Sequence, residues 1–307
     1  MSYPVAAGTV NIGSDAMRYI PVLYAGKLLV KYYDATVLSV IANTDYEGQI
    51  KKYGDTVYIR TRPDMTIRDY VKGQALVNEQ PESTATSLTI DKGKYWSFVT
   101  EDLDKVQTDL KTFINEWTDD AAEQLKIEVD TDVLGTIYGL VDSSNAGLTA
   151  GAKSSSLSMG VAGTPLSLDK TNILDYFVDA GTVLDEQNVP ESNRFLIIPP
   201  WAAGLIKKSD LKDASLSGDA TSIMRNGLLG TIDRFTLYSS NLLAGSASVG
   251  NYFLFGHKDA TTFATQLVEN KVQDNPNGFG MLHRGLQVYG YNVVQPDALG
   301  TMYAKKA

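Results

Sequence analysis

The chain has 307 residues, of which 43% are hydrophobic and 21% are charged, a composition typical of globular proteins. It contains no cysteine, which excludes disulfide bonds, thiolate nucleophiles and thiolate metal sites. Its 36 acidic and 27 basic side chains give a formal net charge of −9, opposite in sign to that of a protein that binds DNA directly. The N-terminus has no charged leader and no apolar run is long enough for a membrane helix, so we expect a cytoplasmic product that does not span a membrane.

Residues 1–44 form a weakly patterned N-terminal arm. Prolines and glycines interrupt every short apolar stretch in it except 28–33. An arm of this kind has little surface of its own to bury, so we expect it to lie on a partner surface.

Residues 45–99 are predicted as a long two-stranded excursion. The alternating pattern at 57–62 predicts one strand, and strand-like stretches follow at 87–91 and 95–99. Residues 64–86 between them are polar and rich in turn formers, which predicts a loose tip. A two-stranded hairpin is marginally stable in water, so we expect this one to pack on another surface.

Residues 100–142 are predicted as one long helix with an acidic surface. Thr100 is the candidate N-cap, and apolar residues recur at steps of three and four as far as Val141. Gly135 and Gly139 favour a bend or an early end. Residues 101–132 carry eleven acids and three lysines, so this segment alone has a net charge of −8. The simplest interpretation of that charge is a solvated helix face.

Residues 143–165 are rich in glycine, serine and alanine and have no apolar periodicity, which predicts a mobile surface loop or a linker. The patterns that follow predict a mixed α/β domain. Its predicted helices are 173–184, 200–208 and 220–226. Its predicted strands are 195–198, 234–239, 252–255, 262–268 and 286–294, with a turn at 274–278.

The sequence contains no convergent cluster of catalytic side chains. His257 and His283 have no second ligand at the spacing that zinc sites use, and no phosphate-binding loop, nucleophile elbow or dinucleotide motif occurs. Neighbouring acids such as Asp119 and Asp120 are expected on the exposed side of the helix, where burial cannot raise a pKa. We therefore predict a protein that is not an enzyme and that has no catalytic residue, metal site or cofactor.

Taken in order, these segments resemble the major capsid (coat) proteins of tailed bacteriophages, which have the Hong Kong 97 fold. Five local strings carry the same likeness, and each is weak alone; they are 62–68, 88–96, 198–203, 223–233 and 235–241. The resemblance implies an α+β fold with an extended hairpin loop, a long spine helix, a peripheral domain and an axial α/β domain. The implied segments are the N-terminal arm 1–44, the extended hairpin loop 45–99, the spine helix of the peripheral domain 100–142, the axial domain 143–250, a return to the peripheral domain 251–285, and a C-terminal strand 286–307 that rejoins the axial domain.

The same resemblance implies a function. The protein would self-assemble, as hexamers and pentamers of its own chain, into the icosahedral head shell that encloses the double-stranded DNA genome of a tailed phage. It would enclose DNA without sequence-specific binding, and it would be assembled in the host cytoplasm into the virion. A separate scaffolding protein, a portal and decoration proteins are further implied partners. Some relatives link subunits through a lysine and an asparagine, but no matching motif accompanies Lys92 and Lys94.

Two other functions remain open at this point. A cellular nanocompartment shell with the same fold would need a cargo-loading site, which the sequence does not identify. A soluble hydrolase or binding protein would need a cluster of active groups, which the sequence does not contain.

The candidate subunit interface is built from charge. It combines four cations of the hairpin with four acids of the predicted helix, namely Arg60, Arg62, Arg68, Lys72, Glu116, Asp119, Asp120 and Glu123. We expect the cations to meet acids on a neighbouring subunit, with the helix as the candidate acceptor. The acids have two alternative roles: facing inward they would repel packaged DNA, or they would receive a basic scaffolding helix.

Overall fold

The structure is a computed structural model that describes residues 36–45, 56–63, 65–83, 85–101, 110–209, 230–276 and 278–307. Its helices are α1 Leu38–Ile41, α2 Leu110–Ile137, α3 Ile173–Glu186 and α4 Pro200–Ile206. Its strands are β1 Ala42–Asn43, β2 Thr56–Arg60, β3 Ala85–Thr89, β4 Lys92–Glu101, β5 Leu166–Leu168, β6 Arg194–Ile198, β7 Thr231–Ile232, β8 Phe235–Ser239, β9 Gly245–Ser246, β10 Gly250–His257, β11 Thr261–Asp274, β12 Gly280–Val293 and β13 Leu299–Lys306. Most of the predicted arm and the predicted helix 220–226 lie outside the described residues.

A four-stranded sheet with the order β1-β11-β12-β4 carries α2 on one face. Strands β11 and β12 form a long antiparallel hairpin, and β4 pairs antiparallel with β12. Phe98 of β4 faces α2, where it meets Trp117 edge to face at 6.0 Å between ring centroids, and Trp96 stacks on Phe98 at 5.5 Å. A Cβ atom at Gly285 would collide with the indole of Trp96, so this glycine lets the indole lie across β12.

A second, seven-stranded sheet contains most of the buried core. Its order is β5-β13-β10-β6-β8-β7, and β9 pairs with β10. The predicted apolar run is the central strand β6, in which every residue is buried. Helix α3 packs its apolar face into the same core through Phe177, Val183 and Leu184, each with 0% exposure. Pro200 occupies the first turn of α4 as predicted, because a proline there loses no helical hydrogen bond.

Two predictions about residues 95–101 are wrong. Strand β4 does not belong to the two-stranded excursion, because all ten of its residues pair with β12. Thr100 is not a helix N-cap, because it lies inside β4 with 3% exposure and its hydroxyl donates to the carbonyl oxygen of Met281 at 3.3 Å. The two-stranded sheet consists of β2 and β3 alone. Pairing with a distant strand buries one face of β4 and outweighs the local capping signal.

The prediction of a mobile loop or linker at 143–165 is also wrong. The segment folds back on itself through isolated bridges between Gly147 and Gly160 and between Ala150 and Leu157. Met159 is fully buried, and its carbonyl oxygen accepts a hydrogen bond from the Tyr303 amide of β13 at 2.8 Å. Contacts of this kind have no regular spacing along the chain, so the sequence shows no periodicity.

Asn145 is the polar centre of this packed segment. Its side-chain amide donates to the carbonyl oxygens of Asp297 at 2.6 Å and Leu299 at 3.0 Å, and its side-chain oxygen accepts from Gln187 at 3.1 Å. The residue has 0% exposure, so these three bonds satisfy groups that water does not reach. Asn145 therefore joins the segment to the start of β13 and the end of α3.

The chain crosses between the two sheets at short 3₁₀ turns. It leaves β10 for β11 through Lys258–Ala260 and leaves β12 for β13 through Pro296–Ala298. The part of the chain between the two crossings that lies in the four-stranded sheet runs from β11 to the end of β12. It lies later in the chain than residues 251–285, the predicted return to the peripheral domain. The last strand, β13, lies in the seven-stranded sheet between β10 and β5.

Replacing Asn145 with alanine is expected to lower the free energy of unfolding by about 2 kcal/mol, because two buried carbonyl groups lose their donor. Urea unfolding of dissociated subunits measures this change. Asn115→Ala, at an exposed position of α2, is the matched control and is expected to change stability by no more than about 0.5 kcal/mol. Equal stability of the two variants would contradict the role assigned to Asn145.

Candidate assembly surfaces

The base of the hairpin is anchored on the four-stranded sheet. Ile59, Leu88 and Ile90 form a small buried cluster with Ala264 of β11. The side-chain amide of Asn292, in β12, donates to the carbonyl oxygen of Ser87 at 2.7 Å. The sheet therefore fixes the direction in which the rest of the hairpin leaves it.

The distal part of the hairpin, residues 65–83, is named the loop tip here. It contains no described strand or helix, and six large apolar side chains in it are 62–93% exposed: Met65, Ile67, Tyr70, Val71, Leu76 and Val77. Glu79 accepts hydrogen bonds from the amide of Thr66 at 3.3 Å and from its hydroxyl at 3.2 Å. Contiguous exposed apolar side chains on a soluble protein typically mark an interaction surface.

The four predicted hairpin cations are all exposed. Arg60 is the last residue of β2, Arg62 lies just beyond it, and Arg68 and Lys72 lie in the loop tip. Within the described part of the chain, none of the four pairs with an acid. Their charge is therefore available to a group outside this subunit.

The four predicted acids lie together on α2. Glu116 and Asp119 are exposed, and Asp120 and Glu123 are half-buried. Glu123 pairs with Lys126 one turn along at 2.6 Å. Spacings of three and four residues place these acids on one side of the helix. No described ion pair joins them to the hairpin cations within one subunit, so the structure does not bring the two predicted groups together.

A polar network that the sequence analysis missed fastens β4 to α2. The ammonium group of Lys92 donates to Asp132 at 2.7 Å and to the Tyr291 hydroxyl at 2.6 Å, and it lies 4.4 Å from the centroid of the Tyr291 ring. The Tyr289 hydroxyl donates to the same Asp132 oxygen at 3.0 Å. A second ion pair joins Lys94 to Glu128 at 2.8 Å. The sequence signal for the network was therefore two lysines two residues apart on a strand and two acids four residues apart on a helix.

The network holds its charged groups in their ionised forms. Burial opposes the charge on Asp132, but hydrogen bonds from Lys92 and Tyr289 outweigh it and lower the pKa of Asp132. Burial likewise opposes the charge on Lys92, but its bonds to Asp132 and Tyr291 raise the pKa of Lys92. Burial and the nearby Asp132 carboxylate raise the pKa of Tyr289. At neutral pH, Lys92 and Asp132 are therefore both charged, and this clamp, the network of Lys92, Asp132, Tyr289 and Tyr291, holds β4 on α2.

Asp130 fixes the end of the arm to α2. Its carboxylate is buried and accepts hydrogen bonds from the amides of Val37 at 2.6 Å and Leu38 at 3.2 Å, at the start of α1. Burial raises the pKa of Asp130, and the two amide bonds act in the opposite direction. Strand β1 follows at once and pairs with β11, so the described end of the arm lies on its own subunit.

The two histidines have structural partners. His283 stacks on Phe98 at 4.9 Å between ring centroids and lies 3.3 Å from the Thr100 hydroxyl. The ring nitrogen Nδ1 of His257 accepts from the amide of Asp259 at 3.2 Å. Over the described ranges, no group of three or more histidines and acids is arranged to hold a metal ion. None of the helices in those ranges combines the length and the apolar character that crossing a membrane requires.

Comparison with known proteins identifies the family of this architecture. The sequence model of a family described as phage capsid protein matches residues 83–301. No curated protein sequence matches the chain. Among solved structures, one from Mycobacterium phage Che8 is 25% identical, covers 92% of this chain and 97% of its own, and superposes with a TM-score of 0.75.

Two further solved structures share the fold at lower identity. The capsid structure of the cyanophage P-SCSP1u is 15% identical, covers 100% of this chain and 99% of its own, and has a TM-score of 0.71. The mature capsid of bacteriophage PhiM1 is 14% identical, covers 94% and 92% of the two chains, and has a TM-score of 0.63. These similarities confirm the predicted Hong Kong 97-type α+β fold.

Replacing Lys92 with methionine is expected to lower stability at neutral pH, because Asp132 loses its strongest donor. The folded pKa of Asp132 lies below its ordinary value of 3.8, so its stabilising contribution is present above that value and is lost as the pH falls through the folded pKa. The stability difference between the two proteins should therefore shrink below about pH 4. Urea unfolding across a pH series measures this.

The control for that experiment is Lys126→Met, which removes an exposed ion pair to Glu123 and is expected to change stability by at most about 1 kcal/mol. If the Lys92→Met difference is the same at neutral pH and at roughly pH 2, the clamp does not depend on the Asp132 carboxylate.

Proposed function

This chain belongs to the phage capsid protein family and is a major capsid protein that forms the head shell of a tailed phage, and from that premise we propose that its hairpin joins neighbouring subunits. The observation that supports this most is the loop tip, whose six large apolar side chains are mostly exposed in one subunit. A neighbouring copy that covers them would remove this apolar area from water, at about 25 cal/mol per Å².

The charge distribution supports the same contact. The hairpin carries Arg60, Arg62, Arg68 and Lys72 without acid partners among the described residues, while α2 exposes Glu116 and Asp119. We propose that these cations meet the acids of α2 in a neighbouring copy, together with Asp120 and Glu123. Exposed charges of this kind attract over roughly 10 Å at 0.1 M salt, so they would guide subunits into register.

A closed shell needs subunit contacts that repeat under rotation. If the rotation between neighbouring subunits does not close, the subunits form an open filament instead. We propose that the chain forms hexamers and pentamers and that these build an icosahedral shell around double-stranded DNA. A surface as acidic as that of α2 would repel phosphates if it faces inward, which suits a container that holds DNA without sequence-specific binding. The alternative is that the acids receive a basic scaffolding protein, and a portal and decoration proteins would complete the particle.

We further propose that the protein works without catalysis and that the shell is assembled in the host cytoplasm before it becomes part of the virion. Membership of a structural capsid family supports a purely structural role. The family match and the phage capsid structures favour the head shell over a cellular nanocompartment or a hydrolase.

Reversing two hairpin charges tests the proposed contact. Arg60→Glu combined with Arg62→Glu is expected to abolish closed particles, because attraction to the acids of α2 becomes repulsion. Each loss of about 1.4 kcal/mol lowers the association constant tenfold, and the loss repeats in every subunit of the shell. Negative-stain electron microscopy, with the protein expressed alone and with its neighbouring genes, measures particle yield.

Lys207→Glu combined with Lys208→Glu is the matched control, because it makes the same charge change at two exposed lysines that follow α4. Adding Glu116→Lys and Asp119→Lys to the hairpin variant is expected to restore particles if the two groups meet. Normal assembly of the hairpin variant would overturn the proposed contact.

A further inference from the structure

We infer that β4 is the surface that receives the hairpin: residues 66–72 of the loop tip in one subunit add as an extra strand to the outer edge of β4 in its neighbour. This inference rests on the proposed hairpin contact, and it names both the docking edge and the face that each side chain takes. The partner is therefore a second copy of this chain.

Among the described strands, β4 lies at an open edge of its sheet. All ten residues pair with β12 on one side, and no strand among the described residues pairs with the other side. Edge strands usually avoid unwanted pairing through prolines, bulges or outward lysines. Strand β4 contains no proline, its register against β12 is continuous, and Lys92 and Lys94 turn back onto acids of α2. An edge this long and regular is suited to accept a strand.

The loop tip supplies a matching segment. Residues 66–72 form no ladder within their own subunit, and a turn with a hydrogen bond from the Gln74 amide to the Val71 carbonyl ends the segment. Seven residues is an ordinary strand length, and the backbone groups of this segment need partners once it is covered. Pairing with β4 would satisfy the unpaired backbone groups of the β4 edge and those groups of the segment that face it.

The side chains of the segment separate into two faces when it is extended. Ile67, Asp69 and Val71 fall on one face, while Arg68, Tyr70 and Lys72 fall on the other, because side chains alternate along a strand. One face is therefore apolar around a central acid, and the other carries both cations. A register shift of one residue would exchange the two faces.

The outer face of β4 matches the face of the segment that carries Ile67, Asp69 and Val71. Tyr95 and Val99 are exposed there, 77% and 47%, with Ser97 between them. Tyr95 and Val99 have the same spacing as Ile67 and Val71. In a parallel or an antiparallel pairing, the two apolar pairs would therefore meet, with Asp69 opposite Ser97.

A cation is in place for that central acid. Ser97 pairs across β4 and β12 with the exposed Arg284, which in turn pairs with Lys271 of β11. Asp69 at this position would lie on the same side of the sheet as both cations, two strands from Arg284 and three from Lys271. Arg284 is the partner for Asp69, because it lies on the strand next to β4 and because Lys271 already pairs with Glu269 at 2.7 Å.

The inner face of the added strand matches α2. This helix runs antiparallel to β4, as the pairs Lys94 with Glu128 and Phe98 with Trp117 show. The acids between positions 117 and 128 of α2 therefore lie alongside the middle of β4. Arg68 and Lys72 on the inner face of the added strand would lie next to them, which gives the predicted charge contact a specific geometry.

Cysteine cross-linking tests the pairing directly, because the natural chain has no cysteine. Subunits with Ser97→Cys are assembled together with subunits that carry one cysteine at 68, 69 or 70, and the particles are oxidised and analysed on a non-reducing gel. Disulfide-linked dimers are expected for Asp69→Cys, and they should be lost for Arg68→Cys and Tyr70→Cys, whose side chains point to the other face.

A second fixed position guards against a variant that fails to assemble. With Tyr95→Cys, dimers are expected for Ile67→Cys or Val71→Cys and not for Arg68→Cys. Each cysteine variant is imaged before oxidation, so that only assembled particles are compared. Dissociated subunits, mixed and oxidised at the same concentration, are the control and should give no dimer.

The outcomes separate this inference from the proposed hairpin contact. Shells that form normally, depend on Arg60 and Arg62, and yet give no dimers from either fixed position would leave the contact standing and overturn strand addition. Equal cross-linking at 68, 69 and 70 would also overturn it, because a loose loop has no alternation. Alternating cross-links at both fixed positions would establish it.

Discussion

The packing of β4 against α2 determines the geometry of both candidate surfaces. Aromatic side chains of the strand contact the helix at one end, where Phe98 meets Trp117, and the ion pair between Lys92 and Asp132 closes the other end. The pairing with β12 occupies one edge of β4, and the helix occupies one face. Among the described residues, β4 keeps one unpaired edge and one exposed face, with a row of acids of α2 beside them. Those are the features that a neighbouring subunit can use.

Contacts with the seven-stranded sheet hold the end of α2 in place. The two sheets are joined by two short 3₁₀ turns rather than by a long linker. Where α2 ends, Tyr138 stacks on Tyr252 of β10 at 4.0 Å between ring centroids, and Tyr252 in turn packs against Tyr303 of β13 at 4.6 Å. Aromatic pairs of this kind contribute about 0.5–1.5 kcal/mol each beyond their buried area. The helix therefore ends on the larger sheet.

The sequence predicts well those elements whose signal is local. Strand β6 is a continuous apolar run, α3 has a regular apolar stripe, and Pro200 begins α4 as expected. The prediction of Thr100 as a helix N-cap is wrong because a polar residue followed by acids has the local pattern of a cap. Only its pairing with β12, far along the chain, shows that it lies in a strand. Residues 143–165 fail because isolated bridges and one buried asparagine hold them, and neither has a period. The charge contact remains a prediction from sequence, whereas the proposed receiving edge could not have been proposed from sequence, because it depends on which strand lies at the edge of the sheet.

A shell built this way does not need strong individual contacts. Exposed ion pairs contribute about 0–1 kcal/mol each, so the cations of one hairpin and the acids of one α2 would bind weakly in isolation. Weak contacts dissociate readily, which lets a wrongly placed subunit leave, whereas a closed shell makes each subunit hold several neighbours at once. Strand addition suits the same requirement, because a slip of one residue would exchange the two faces of the added strand and separate its side chains from their matches on β4. Charge would then bring subunits together, and the edge of β4 would decide which arrangement persists.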